Sequence, residues 1–162
     1  MEIRKANKKD FEELLKLILK CTIYHHELDK KNVGGKKLKR GSIKELKENE
    51  TKILKEDLKN SSTTIFIAIK EKKIVGFITL SFPSKNANIK SKRGEINDLF
   101  ILKEYRKKGI GKMLLKKALT FFRLKKVKLI LLNVDSNNFS ALKFYEKIGF
   151  KECMKRIGFY IE

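Results

Sequence analysis

One proline, two cysteines, two histidines and no tryptophan occur in a chain of 162 residues, and each scarcity excludes something. Cys21 and Cys153 are too few and too far apart in sequence to frame a disulfide-stapled fold, and no Cys-x-x-Cys is present. The histidines are the adjacent pair His25-His26, so no metal-ligand spacing is legible and no metal is expected. No apolar run approaches the ~20 residues that cross a bilayer, and no leader pattern opens the chain. These absences lead to the expectation of a cytoplasmic protein with no membrane partner. Neither Gly-x-x-x-x-Gly-Lys-[Ser/Thr] nor Gly-x-Gly-x-x-Gly occurs, which argues against an ordinary nucleotide loop.

Acidic residues are also scarce, 19 against 40 Lys and Arg, for a formal net charge of +21. Such a field concentrates anions and invites a nucleic-acid reading. The lysines, however, are spread along the whole chain rather than gathered in one tail or helix, the pattern of solvated faces. A hydrophobic content of 41% suffices for a core. The expectation is one domain over residues 1–162.

In chain order, Glu2 to Ala6 reads as a strand, and Asn7-x-x-Asp10 as a capping pair before a helix through Phe11, Leu14, Leu15, Ile18 and Leu19. Periodicity fades from Tyr24 to Gly41, which reads as a loop. Ser42-Ile43-Lys44-Glu45 is a capping box before a second helix toward Lys59. Thr63–Lys70 and Lys73–Phe82 read as a hairpin turned at Glu71-Lys72, and the segment from Pro83 to Lys92 as a polar loop. Val127–Val134 reads as a strand buried on both faces. Ser136-Asn137-Asn138 supplies caps for a short helix ended by Gly149, and one or two strands close the chain between Phe150 and Ile161. The order βααβββαβαβ(β) is an α/β (α+β) layout, a mixed, mostly antiparallel central sheet flanked by helices.

The organising stretch runs from Glu95 to Gly111, EINDLFILKEYRKKGIG. Its first half is strand-like. Its second half is a basic turn, Arg106-Lys107-Lys108-Gly109-Ile110-Gly111, that opens a helix carrying Ile110, Met113, Leu114, Ala118, Phe121 and Phe122 at helical spacing. A helix start leaves its first N–H groups without partners and carries positive potential, so this turn is suited to an anion. Cations are the unfavourable charge at that helix end, which makes a purely structural role for the basic turn less comfortable.

Arg106-x-x-Gly109-x-Gly111, with the preceding strand, Asn138-x-x-Ala141 and Phe144-Tyr145-Glu146-Lys147-Ile148-Gly149-Phe150, resembles the GCN5-related N-acetyltransferases, the GNAT family. The likeness covers about Thr64 to Phe150. It implies acetyl-CoA as acetyl donor and no metal. The pyrophosphate would lie on Arg106, Lys107, Lys108, Gly109, Ile110, Gly111 and Lys112, and the pantetheine on the backbone of Leu99, Phe100 and Ile101. Asn138 would touch the pantetheine arm or cap its helix, and Tyr145 would be the general acid. Glu95 is the first candidate for general base, Asp98 the second, and an ordered water chain the third; Asn97 and Asn133, where relatives carry acids, cannot act as bases. A histidine at position 25 or 26 would orient or deprotonate an amine.

The implied function is transfer of an acetyl group to a primary amine of a small molecule or peptide, by direct attack in a ternary complex. The alternatives are a basic nucleic-acid-binding protein on the same scaffold, or a protein N-terminal or lysine acetyltransferase. Weak, non-specific nucleic-acid binding and a monomer or homodimer complete the expectations.

Overall fold

The computed structural model describes residues 1–29, 41–82 and 93–154. Its organisation follows from a meander of three strands: β2 (Thr63–Lys70), β3 (Lys73–Ser81) and β4 (Arg93–Ile101). β2 and β3 are runs of β-branched and aromatic residues buried almost throughout. They are joined by Glu71 and Lys72, both left-handed at φ 51° and 63°, as a two-residue hairpin turn of the I′ type requires. β1 (Glu2–Lys5) pairs antiparallel with β2 on one side. β5 (Leu129–Leu132) pairs parallel with β4 on the other. The described sheet therefore runs β1-β2-β3-β4-β5, antiparallel except at its last pair.

Helices cover both faces. α1 (Phe11–Asp29) and α2 (Ile43–Asp57) lie on one, where Leu14, Leu17, Cys21 and Leu54 pack with Ile65, Ile67, Phe77 and Phe100. α3 (Ile110–Leu124) lies on the other, where Leu114, Leu115, Ala118 and Phe122 pack with Phe66, Ala68, Ile78 and Ile96. α3 is also the crossover that lets β5 run parallel to β4. Gly94 is required for that packing, since a Cβ there would sit 2.4 Å from Cε1 of Phe122. The short helix α4 (Phe139–Glu146) leans its Phe144 and Tyr145 on the edge of the α3-side core.

Both N-terminal caps form as read. Asn7 and Asp10 close a capping box over a 3-10 turn (Lys8–Asp10) that leads into α1, and Ser42 with Glu45 does the same for α2. Asp10 is buried and held by Arg4 through bonds of 2.6 and 2.8 Å.

Several expectations change. α1 continues to Asp29, so His25 and His26 are helical rather than in a loop. β5 is four residues long and nowhere fully buried, with Leu129 at 48% exposure, because it is the last described strand and has a neighbour on one edge only. Met113 is exposed and Leu115 takes its place in the core. Residues 151–154 carry no regular structure; the Gly34-Gly35 and Pro83–Lys92 loop readings, and the closing strands beyond residue 154, lie outside the described residues.

Candidate functional site

The site is built where β4 and β5 part. Their register runs from Arg93 opposite Leu129 to Ile96 opposite Leu132. Beyond Ile96, β4 continues to Ile101 with β3 on one edge and no described strand on the other. The direction of its free polar groups follows from alternation along the strand. The N–H of Leu102 donates to Val75 of β3, so Leu99 and Ile101 turn their backbone groups to the open edge. Orphaned strand groups cost ~1–3 kcal/mol each when buried, which makes the open edge a place that favours a polar partner.

A bulge sets which side chains reach this edge. Thr79 pairs with Asp98 but Leu80 with Ile96, leaving Asn97 as the extra residue. Ile96 consequently packs on the α3 face and Phe100 on the α1 face, although four residues along a regular strand would share a face. The bulge places Asp98 on the same face as Phe100, toward α1 and α2. Asn97 accepts from Ser81 at 2.8 Å. Glu95 lies in the part of β4 that is paired on both sides, with its carboxylate 3.2 Å from Arg93.

Around Asp98 the chain gathers groups that share no sequence motif. Desolvation holds its carboxyl above the usual carboxylate range; Glu50 and Asp57 push the same way, while His25 and a hydrogen bond with Thr79 oppose them. The buried Cys21 thiol is pushed up by desolvation, then by Asp98 and Glu50, against Arg106. Glu50 itself accepts from Thr22 at 2.9 Å. Tyr145, half-buried on α4, packs edge-on against Phe144 and Phe150 at 5.2 and 5.5 Å. Its phenol is raised by desolvation and then by the charges of Asp98 and Cys21. Sequence reasoning missed Cys21, Glu50 and Asp57; only the continuation of α1 to Asp29 turns the i, i+4 step from Cys21 to His25 into a shared face.

The other end of the open edge is cationic. Gly109 is the N-cap of α3, left-handed at φ 79°, with no side chain to cap the helix and no acidic residue in the first turn. The first helical bond is donated by Met113 to Gly109, so the N–H groups of Ile110, Gly111 and Lys112 precede the ladder. Lys107 is also left-handed, at φ 58°. A Cβ on Gly111 would meet only the ring of Phe144, at 3.6 and 3.8 Å, so α4 stands against α3 at this glycine.

Two cations of the turn are engaged elsewhere. Lys108 donates to the Glu104 carbonyl at 2.9 Å. Arg106 donates from Nε to the Ile101 carbonyl at 2.9 Å and lies over the rings of Tyr24 and Phe100, at 5.0 and 5.6 Å. Its backbone N–H donates to Lys103. Asn138 caps α4 through the N–H of Ala141 at 3.2 Å. A shallow concavity along α2, lined by Lys44, Lys47, Glu48, Thr51, Lys52 and Lys55, holds none of these groups.

The arrangement is an open strand edge with an uncapped, cation-rich helix start at one end, and a carboxylate, a phenol and a thiol at the other. The profile of the Acetyltransferase (GNAT) family matches residues 23–150. An N-alpha-acetyltransferase of Saccharolobus solfataricus is 30% identical over 113 residues, 66% of this chain and 68% of its own. An uncharacterized N-acetyltransferase of Methanocaldococcus jannaschii is 27% identical over 93% of this chain and 60% of its own. Among solved structures, an aminoglycoside N-acetyltransferase in complex with CoA has the same fold, with a TM-score of 0.75 at 20% identity over 99% of this chain and 93% of that one.

Proposed function

This chain belongs to the GNAT acetyltransferase family and is an acetyl-CoA-dependent acyltransferase, and from that premise we propose that it acetylates a primary amine by direct attack in a ternary complex at the β4 edge. Acetyl-CoA supplies an activated acetyl thioester. The observation that carries the placement is the end of β4–β5 pairing at Ile96–Leu132, which opens the backbone of Leu99 and Ile101.

The residues present fit such a cosubstrate. The uncapped N–H groups of Ile110, Gly111 and Lys112 would take the pyrophosphate, with Lys107 before the N-cap and Lys112 in the first turn adding charge. Leu99 and Ile101 would take the pantetheine amides on the open edge, with Phe100 between them paired to β3 and buried on the α1 side. An Ile101 N–H aimed at the thioester oxygen would act as an oxyanion donor. The contribution of Arg106 and Lys108 through their side chains would require release from Ile101 and Glu104. Asn138 acts through α4, by holding that helix in place.

Tyr145 would protonate the departing thiolate. A phenol whose ordinary pKa is ~10 keeps its proton at neutral pH, and the surroundings reinforce that. For the base, Glu95 was the first candidate; its ion pair with Arg93 and its position before the fork favour Asp98 instead. Asp98 stands at the bulge, on the α1 and α2 side, where an acceptor amine would enter.

Asp98, Glu50 and Asp57 also make this end of the cleft locally acidic inside a protein of net charge +21. That favours a small or peptide amine that arrives as an ammonium ion. Acetyl-CoA with panels of small amines and of short peptides, followed by release of the CoA thiol, tests the reading. Transfer to at least one primary amine is expected; none, with CoA still bound, would overturn it.

A further inference from the structure

Cys21 and His25 are four residues apart on α1 and so share a helical face. The bulge at Asn97 turns Asp98 toward that face. One ligand atom of each, a sulfur, an imidazole nitrogen and a carboxylate oxygen, lie within 4.8 Å of one another. We propose that Cys21, His25 and Asp98 form a binding site for a single Zn²⁺ ion.

Thiolate, imidazole and carboxylate are all zinc ligands, and the combination suits a tetrahedral ion better than hard octahedral Mg²⁺ or Ca²⁺. Ligands at ~2.0–2.3 Å from a tetrahedral centre stand about 3.3–3.8 Å apart. Separations within 4.8 Å therefore close by side-chain rotation, for which the exposed His25 has freedom while Cys21 and the strand stay in place. Three protein ligands leave a fourth position for water, the arrangement of an open site.

The surroundings favour a cation despite the overall charge. Glu50 and Asp57 of α2 both act on Asp98, Thr79 of β3 bonds it, and Arg106, stacked over Tyr24 and Phe100, is the opposing cation. An ion here would bring positive charge to a thiol and a carboxyl that are otherwise desolvated beside one another. Coordination replaces the Cys21 S–H by an S–Zn bond and releases that proton to solvent, since a metal deprotonates the thiol it binds. It would also tie α1 to β4 and occupy the carboxylate proposed as the base, so Zn²⁺ is expected to inhibit acetyl transfer.

The test uses the full chain carrying Cys153→Ser, which removes the exposed thiol. Zn²⁺ is titrated in competition with a chromophoric chelator, and Co²⁺ is added separately to read the thiolate-to-metal charge-transfer band. One equivalent of Zn²⁺ is expected to bind. Cys21→Ser and His25→Ala should each weaken it by about 100-fold or more, at or beyond the ~10–100-fold typical of losing an outer-shell partner. Cys21→Ser should abolish the Co²⁺ band. His25 is exposed, so His25→Ala keeps the test decisive should Cys21→Ser fail to fold. Absence of stoichiometric binding, or binding indifferent to His25→Ala, would overturn the site. Binding without inhibition would support the site and count instead against Asp98 as the base.

Discussion

Asp10 stands beside the edge strand β1 and Asp98 on β4 of the same sheet, and their surroundings differ in almost every respect. Asp10 is buried, takes two bonds from Arg4 and a third from the N–H of Asn7, and sits below its ordinary pKa, chiefly through the Arg4 bond. Asp98 is raised by desolvation, with Glu50 and Asp57 adding to the strain and a histidine and a threonine against it. A carboxylate with its cation built in is finished; it closes the corner between β1 and α1. One that is desolvated among like charges retains a demand for a cation, which an ammonium or a metal would meet. Fold and chemistry are thus separable in this molecule, and substitutions should separate them.

The largest effect is expected at the cationic end of the open edge. Gly111→Glu should abolish binding of CoA while leaving the melting temperature within a few degrees. Gly111→Ala should keep both the fold and CoA binding, because its Cβ meets only the Phe144 ring, at an ordinary distance, and adds no charge. Thermal-shift titration with CoA reads both; stabilisation of the Glu variant equal to that of the wild type would remove the pyrophosphate from this turn.

Next come the groups at the acidic end. Tyr145→Phe keeps the ring contacts with Phe144 and Phe150 and removes only the hydroxyl. It should lower kcat by roughly 10²-fold with little change in cofactor affinity. Asp98→Asn should lower kcat by a similar ~10²-fold without loss of thermal stability, because the amide keeps the shape and removes a desolvated charge. Steady-state kinetics beside melting curves would expose either residue as structural if Tm fell and kcat held.

Asp10→Asn should invert that result: kcat unchanged, stability lower by about 1–3 kcal/mol, at about 2–4 °C per kcal/mol for a chain of this size. The pH dependence has a definite sign. The folded pKa of Asp10 lies below its unfolded value, so its contribution is complete above the ordinary carboxylate range and is lost as pH falls through the folded value. Chemical denaturation across acid pH should show a steeper loss in the wild type than in Asp10→Asn.

The smallest effect concerns distance. Neutralising Lys55, Lys59, Lys72 and Lys73, all exposed, should leave KM for acetyl-CoA within about twofold, since charges beyond ~8–10 Å are screened at physiological salt. Any nucleic-acid binding should be weak and fall steeply with added salt. A defined RNA or DNA held tightly in high salt, without acetyl transfer, would return the lysine-rich surface to the centre of the function.

The layout was legible in the sequence because most of it is written in local periods. Thr63–Lys70 was read to the residue, and both capping boxes formed where Asn7 and Ser42 announced them. The basic turn and its two glycines were equally plain. What the periods hide is the bulge. Strict alternation puts Glu95 and Asn97 on one face and Asp98 on the other; a single extra residue at Asn97 moves Asp98 to the α1 side and with it the choice of base. The neighbours of Asp98 come from positions 21, 50 and 57, and their meeting depends on the packing of α1 and α2 against the sheet, which no local pattern encodes.

The short pairing of β5 with β4 also bears on how the protein breathes. The β2–β3–β4 meander is continuous in sequence and buried almost throughout β2 and β3, the kind of unit that opens only with global unfolding. β5 is held along four residue pairs, has no fully buried residue, and reaches its partner only after the α3 crossover. Its amides should exchange with deuterium well before those of β2 and β3, and CoA should slow them most. The wall of the cleft would then be its least cooperative strand, firm only while a substrate is in place.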